Sequence, residues 1–154
     1  MHSKTFYDSK AVLAELVLPY QSNAAGNIHG GEIMKMMDST AGVAAMKYSQ
    51  TDVVTARVDE LCFKLPIHIG ELVTCTAHVV YAGKTSMETF VTVESENTQT
   101  GSKKIALTAF FTMVALDHHG KPCRVPSMKV LDEPFVQRLY REGEKRYFEH
   151  NRRK

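Results

Sequence analysis

A chain of 154 residues, 44% apolar and 23% charged, has the length and balance of one domain with a sizeable core, which excludes a disordered or fibrous chain. The net charge of +2 is uneven: residues 138–154 carry seven Lys or Arg against three acids, and the 12 basic and 14 acidic residues of 1–137 leave the body at −2. No nucleic-acid footprint is therefore expected in the body, and the basic end reads either as the solvated face of a terminal helix or as an attractor for a phosphorylated ligand. No apolar run approaches the ~20 residues that cross a bilayer, and the opening MHSKTFYDSK lacks the features of a secretory signal. Cys62, Cys75 and Cys123 form no CxxC pair. The expectation is a cytoplasmic protein with reduced thiols and no membrane insertion.

Residues 10–18 (KAVLAELVL) place Val12, Ala14, Leu16 and Leu18 on alternate positions, which fits a strand and would also permit a short helix. Pro19 closes it, and residues 20–29 have the Asn, Gly and Ser content of a shaped loop. Residues 31–48 contain no Pro and many helix formers, enough for about five turns. Apolar residues cover most of the circumference of that helix, so it is expected to be buried on most sides.

The remaining body reads as four strands. Residues 53–63 form the first, ended by Pro66. In 71–81, Val73, Cys75, Ala77, Val79 and Tyr81 share one face, and in 87–95 Met87, Thr89, Val91 and Val93 oppose Glu88, Thr92 and Glu94. Ala82 to Thr85 is short enough for a hairpin connection and 97–102 for a turn. Residues 104–116 are apolar on both faces late in the run, as in an internal strand. Val114, Phe110 and Ala106 lie opposite Phe111 and Met113 and need covering, which favours an oligomer. After a turn at 117–120, Pro134 opens a helix to about His150. The order predicts an α+β fold: an antiparallel sheet wrapped around one long central helix, with a C-terminal helix.

Asp38 is the first chemical anomaly. A carboxylate on a helix with apolar surroundings is costly unless hydrogen-bonded, so it reads as a base or nucleophile in a dry site, or as a residue facing a polar edge. The second feature is Asn27-Ile28-His29-Gly30-Gly31, whose free N–H groups at a helix start can stabilise an oxyanion. Asp38 is seven residues beyond Gly31, about 10 Å along a helix. That separation favours a site completed by a second chain. Serine elbow, Walker A, Rossmann and HExxH motifs are absent, and the histidines show no ligand spacing, so no metal is expected.

Four segments stand in a fixed order: Asn23-Ala24-Ala25-Gly26-Asn27-Ile28-His29-Gly30-Gly31, Met37-Asp38, Gly83-Lys84-Thr85-Ser86-Met87, and Asp117-His118-His119-Gly120-Lys121-Pro122. With them the chain resembles, from about residue 10 to 127, the hotdog-fold acyl-CoA thioesterases, in particular the group of bacterial short-to-medium-chain acyl-CoA hydrolases and tandem-domain cytosolic and brain enzymes. The resemblance implies a hotdog domain over 1–130 with a basic helical extension over 131–154. It further implies a homo-oligomer, dimer or trimer of dimers (a homohexamer), with sites at the dimer interface. Asp38 then matches the catalytic acid, Asn23 the partner Asn from across the interface, and Gly30 and Gly31 the helix start that polarises the thioester oxygen. Gly83, Lys84, Thr85 and Ser86 match the loop against the CoA moiety, with Arg57 and the basic tail as further CoA contacts. The implied reaction is hydrolysis of acyl-CoA to fatty acid and CoA, with no cofactor beyond the coenzyme A of the substrate itself. The competing readings are a non-catalytic acyl-CoA sensor of the same fold, a hotdog dehydratase, which would use a catalytic His, and a nucleic-acid binder using the basic tail.

Overall fold

The computed structural model describes residues 2–152; Arg153 and Lys154 of the basic tail lie outside the described residues. In chain order it contains β1 (Ala11–Leu16), α1 (Gly30–Ser49), β2 (Asp52–Phe63), β3 (Leu72–Ala82), β4 (Ser86–Glu96), β5 (Lys103–Leu116) and α2 (Pro134–Arg152), with short 3-10 turns at Phe6–Ser9 and Pro19–Gln21. The strands pair antiparallel in the order β1-β3-β4-β5-β2, so β5 is internal and β1 and β2 are the edges. Among the described residues no helix is long and apolar enough to cross a membrane.

The sheet curls around α1, as the element order predicts. Ile33, Met37, Ala41, Ala44, Ala45 and Tyr48 of the helix pack on Val73, Cys75, Ala77, Val79, Val91, Phe111 and Met113 of the strands. Each large side chain so buried contributes about 1.5–3 kcal/mol. The helix ends at Gln50, whose left-handed φ of 58° lets its N–H donate to the Met46 carbonyl at 2.7 Å. Buried Thr40 returns its hydroxyl proton to the Met36 carbonyl at 2.7 Å, so it adds no unpaired group to the core.

The sheet's outer face carries a second, smaller core. Along α2, Val136, Leu139, Gly143 and Arg146 recur at helical spacing and are buried, and Val136 and Leu139 join Phe6, Val80 and Phe110 in one cluster. Arg146 thus departs from the solvated-face reading of the basic tail. Its guanidinium carbon lies 3.9 Å from the Phe110 ring centroid and its nitrogens reach Glu60 at 2.6 Å and Glu142 at 3.1 Å.

Three sequence expectations change. Phe110 is covered within the chain by α2 and Phe90, and Ala106 belongs to the inner core because a register shift between Val93 and Glu94 alters the parity of β5. A shift between Val79 and Tyr81 likewise turns Tyr81 outward, against Tyr140 and Tyr147 of α2. α1, finally, is buried on one side only: Met34, Val43 and Met46 are each 41% exposed, because a five-stranded sheet embraces half of the helix. That open flank is the apolar surface that asks for a partner.

Candidate active site

The loop before α1 is built on Asn23. Its side-chain oxygen accepts from Ala25 N at 2.9 Å and Asn27 N at 3.2 Å, and its carbonyl accepts from Gly26 N at 3.1 Å. Gly26 has a φ of +82°, a conformation that disfavours any side chain. The Asn23 amide N–H₂ has no hydrogen-bond partner among the described residues, and Asn23 lines a cleft of about 420 Å³ with Asn27, Gly30, Phe63, Lys64 and Leu65. α1 begins at Gly30, and the backbone N–H groups of Gly30 and Gly31 have no backbone acceptor among the described residues. A Cβ on Gly30 would stand 3.3 Å from the Phe63 ring, whereas one on Gly31 would meet nothing within 4 Å. The start of α1 is therefore open on the Gly31 side.

Asp38 lies eight residues beyond Gly30, about 12 Å along the helix, and outside this cleft. It is exposed rather than buried, a correction to the sequence reading, because it projects from the open flank of α1. Its neighbour is a residue the sequence did not single out: Thr55 Oγ1 on β2 donates to Asp38 Oδ1 at 2.5 Å. The short charge-assisted bond fixes one carboxylate oxygen and leaves the other free to take a proton or attack. No pattern in the sequence pairs positions 38 and 55, since the contact joins a helix to a strand 17 residues away in the chain.

The loop 83–85 sits on the other side of the sheet. Gly83 N donates to Ser86 O at 2.8 Å, closing the hairpin, and a Cβ on Gly83 would fall 2.2 Å from the Tyr147 ring, so the glycine is packed under α2. Lys84 is exposed. Thr85, Ser86 and Arg57 line one cleft of about 390 Å³, together with Tyr147, His150 and Asn151 at the end of α2. The structure thus joins three of the five sequence-predicted CoA contacts in one place. His150 Nε2 is 2.7 Å from Asp59 Oδ2, which anchors that end of α2 to β2.

Glu88 is a second residue that sequence reading did not mark as chemical. On β4 it alternates with Thr92 and Glu94 as a solvated face would, yet it is 1% exposed because α2 closes over it. Thr112 Oγ1 lies 2.9 and 3.0 Å from its two oxygens. Burial pushes its carboxyl from the ordinary 4.5 up to about 7; Asp59 adds to the rise, while the Thr112 hydrogen bond, Arg146 and Arg57 oppose it. Among the described residues no cluster of three or more His, Cys, Asp or Glu is arranged to hold a metal.

Asn23 and Gly30 therefore meet in one cleft, Asp38 stands apart on the open flank, and three of the predicted CoA contacts, Arg57, Thr85 and Ser86, share the cleft at α2. The family model of the Thioesterase superfamily matches residues 25–102, which contain the start of α1, Asp38 and the 83–86 loop. The uncharacterized acyl-CoA thioester hydrolase YkhA of Bacillus subtilis is 37% identical over 119 residues, 77% of this chain and 69% of that protein. A hexameric acyl-CoA thioesterase, solved in its apo form, superposes with a TM-score of 0.93 at 34% identity, over 99% of this chain and 97% of that chain. An acyl-CoA hydrolase of Staphylococcus aureus, solved with butyryl coenzyme A, coenzyme A and coenzyme A disulfide, gives a TM-score of 0.90 at 31% identity over 98% and 92% of the two chains. The family model and the relatives' sequences agree with a backbone superposition that spans nearly the whole chain: the chain belongs to the thioesterase superfamily, as a thioester hydrolase of the hotdog fold.

Proposed function

We propose that this protein hydrolyses acyl-CoA to free acid and coenzyme A, at sites completed by two copies of the chain. The carrying observation is the separation of the parts. Asp38 projects from an open, apolar flank of α1, while Asn23 and Gly30, at the start of that helix, line a different cleft of the same chain. A second copy against Met34, Val43 and Met46 would bury that flank and bring one chain's Asp38 to the other's α1 start. The hexameric relative supports a trimer of such dimers.

In this reading Asp38, oriented by Thr55, takes a proton from water as the water oxygen bonds to the thioester carbon. The carbonyl oxygen becomes an oxyanion held by the N–H groups at the start of α1. Collapse breaks the C–S bond, and the thiolate takes up a proton to leave as coenzyme A. If Asp38 instead attacks the carbonyl carbon itself, an anhydride forms, and Asn23 orients the water that resolves it. The chemistry calls for no cofactor or metal, since the thiolate is a good leaving group. Arg57, Thr85, Ser86, Lys84 and the backbone at Gly83 are assigned to the CoA phosphates, where guanidinium, hydroxyl and ammonium groups suit oxyanions. The three free cysteines favour a cytoplasmic setting.

The test is free-thiol release from acyl-CoA esters of increasing chain length, run beside Asp38→Asn. Release by wild type that falls by about 10²–10⁴ in the variant is the expected result. Full turnover in pure Asp38→Asn hexamer would exclude the role. No release by wild type, with coenzyme A still bound, would favour the non-catalytic sensor.

A further inference from the structure

The cleft beneath α2 contains a group that the reaction above does not use. The strand register sets Arg57 opposite Thr112, Thr112 opposite Glu88, and Glu88 opposite Tyr81, so a cation, a hydroxyl, an acid and a phenol form one row across four strands. Arg57, Thr112 and Glu88 all line the cleft. A single hydroxyl proton from Thr112 serves two Glu88 oxygens, so one of them always lacks a donor. Arg146 is committed to Glu60 and Glu142, and among the described residues neither Glu88 nor Arg57 makes an ion pair. An ionised Glu88 would stand as a negative charge without an ion-pair partner among the described residues, in the wall of a cleft assigned to phosphates.

We propose that Glu88 is a positioning residue for the phosphate-bearing end of the ligand, and that its carboxyl carries a proton whenever those phosphates occupy the cleft. The proposal rests on the acyl-CoA reading above. Protonated, the carboxyl presents an O–H to Thr112 or to a phosphate oxygen and leaves Arg57 as the local charge; ionised, it repels the phosphates. The surroundings hold the balance close to neutral pH. Arg57 and Asp59 face it from β2, Thr112 from β5, Tyr81 from β3, and Arg146, Tyr147 and His150 from α2. Burial and Asp59 favour the neutral acid, Arg146 and Arg57 the ionised one, and Tyr81, raised to about 12, stays a neutral phenol. Dianionic phosphate added to that set shifts it toward the protonated form, so ligand binding and proton uptake are linked.

The experiment compares wild type with Glu88→Gln on two substrates bearing the same acyl group, one on coenzyme A and one on pantetheine, which has no phosphate. For wild type, KM for acyl-CoA should rise about tenfold or more between pH 6.5 and 8.5, with no matching change for acyl-pantetheine. Glu88→Gln should flatten the acyl-CoA profile. The titration of the ligand's own 3′-phosphate is common to both proteins and cancels in the comparison. Calorimetry of coenzyme A binding near pH 7.5, in buffers of different ionisation enthalpy, should show uptake of a proton fraction by wild type that Glu88→Gln lacks. Equal proton uptake in the two proteins, or a pantetheine profile that tracks the CoA profile in wild type, would overturn the proposal. The second comparison needs no variant and so survives a misfolded one. A wild type that releases no thiol from either substrate overturns the acyl-CoA reading instead.

Discussion

Gly143 decides how closely α2 lies on the sheet, and replacing it by alanine sets two known effects against each other. Alanine is the better helix former by about 1 kcal/mol, and in an isolated helix it would stabilise. In the folded chain its Cβ would stand 2.8 Å from Tyr81 Cβ, 2.9 Å from Val80 Cγ2 and 3.4 Å from Glu88 Cβ. Carbon atoms rest at about 3.5–4.0 Å, so the first two contacts are short by close to 1 Å. Neither neighbour can swing away: one is the root of its side chain, and the other belongs to a β-branched residue with a stiff χ1. α2 must lift instead, loosening the Arg146–Phe110 stack and the end of the helix that lines the outer cleft. Overpacking of this kind costs about 1–3 kcal/mol. Offset by the helix gain, the net loss is up to about 2 kcal/mol. Urea unfolding followed by far-UV circular dichroism, at one protein concentration, should show a lower midpoint with unchanged slope. A peptide of residues 134–152 carrying the same change should gain helicity. A midpoint equal to or above wild type in the intact protein would show that the contact is not the constraint described.

Other outcomes follow from the same structure. Glu88 and His78 give opposite pH dependences. Burial lowers His78 from 6.5 to about 4, with Lys10 and Lys47 acting the same way, so the unfolded chain binds the extra proton and stability falls as pH drops through 6.5 toward 4. The stacking of His78 on Phe6, with centroids 3.9 Å apart, depends on that neutral ring, and His78→Phe should recover about 2 kcal/mol at pH 4.5 and little at pH 7.5, read by urea midpoints. Glu88, raised from 4.5 to about 7, favours folding below pH 4.5 and loses that advantage as pH rises through 7, so Glu88→Gln should gain about 2–3 kcal/mol at pH 8.5 relative to pH 5. Val43→Asp on the open flank of α1 should reduce the particle mass in light scattering toward the 17.3 kDa of one chain, with far-UV dichroism retained; an unchanged mass would remove this flank from the interface. Thr55→Val should lower turnover by about tenfold, from loss of one charge-assisted hydrogen bond to Asp38, with KM little changed.

What the chain states by itself is whatever local pattern encodes. Period-two alternation marks β3 and β4, the Pro-free run of helix formers marks α1, and Gly83 and the 97–102 segment mark the turns, because each depends on residues close in sequence. The order of those elements limits the topology to a sheet around one helix. The motif segments around Asn23, Gly30, Gly31 and Asp38 carry the family, and the matched span of residues 25–102 includes all of these positions but Asn23. Tertiary structure decided what lies across the sheet. Two register shifts turn Tyr81 outward and Ala106 inward, and neither leaves a trace in hydrophobic periodicity. The Thr55–Asp38 bond joins an edge strand to a helix flank, and the burial of Glu88 depends on a helix that begins 46 residues later. A solvated acid and a buried one look alike in a strand pattern, since alternation reports which face a residue is on and not what covers that face.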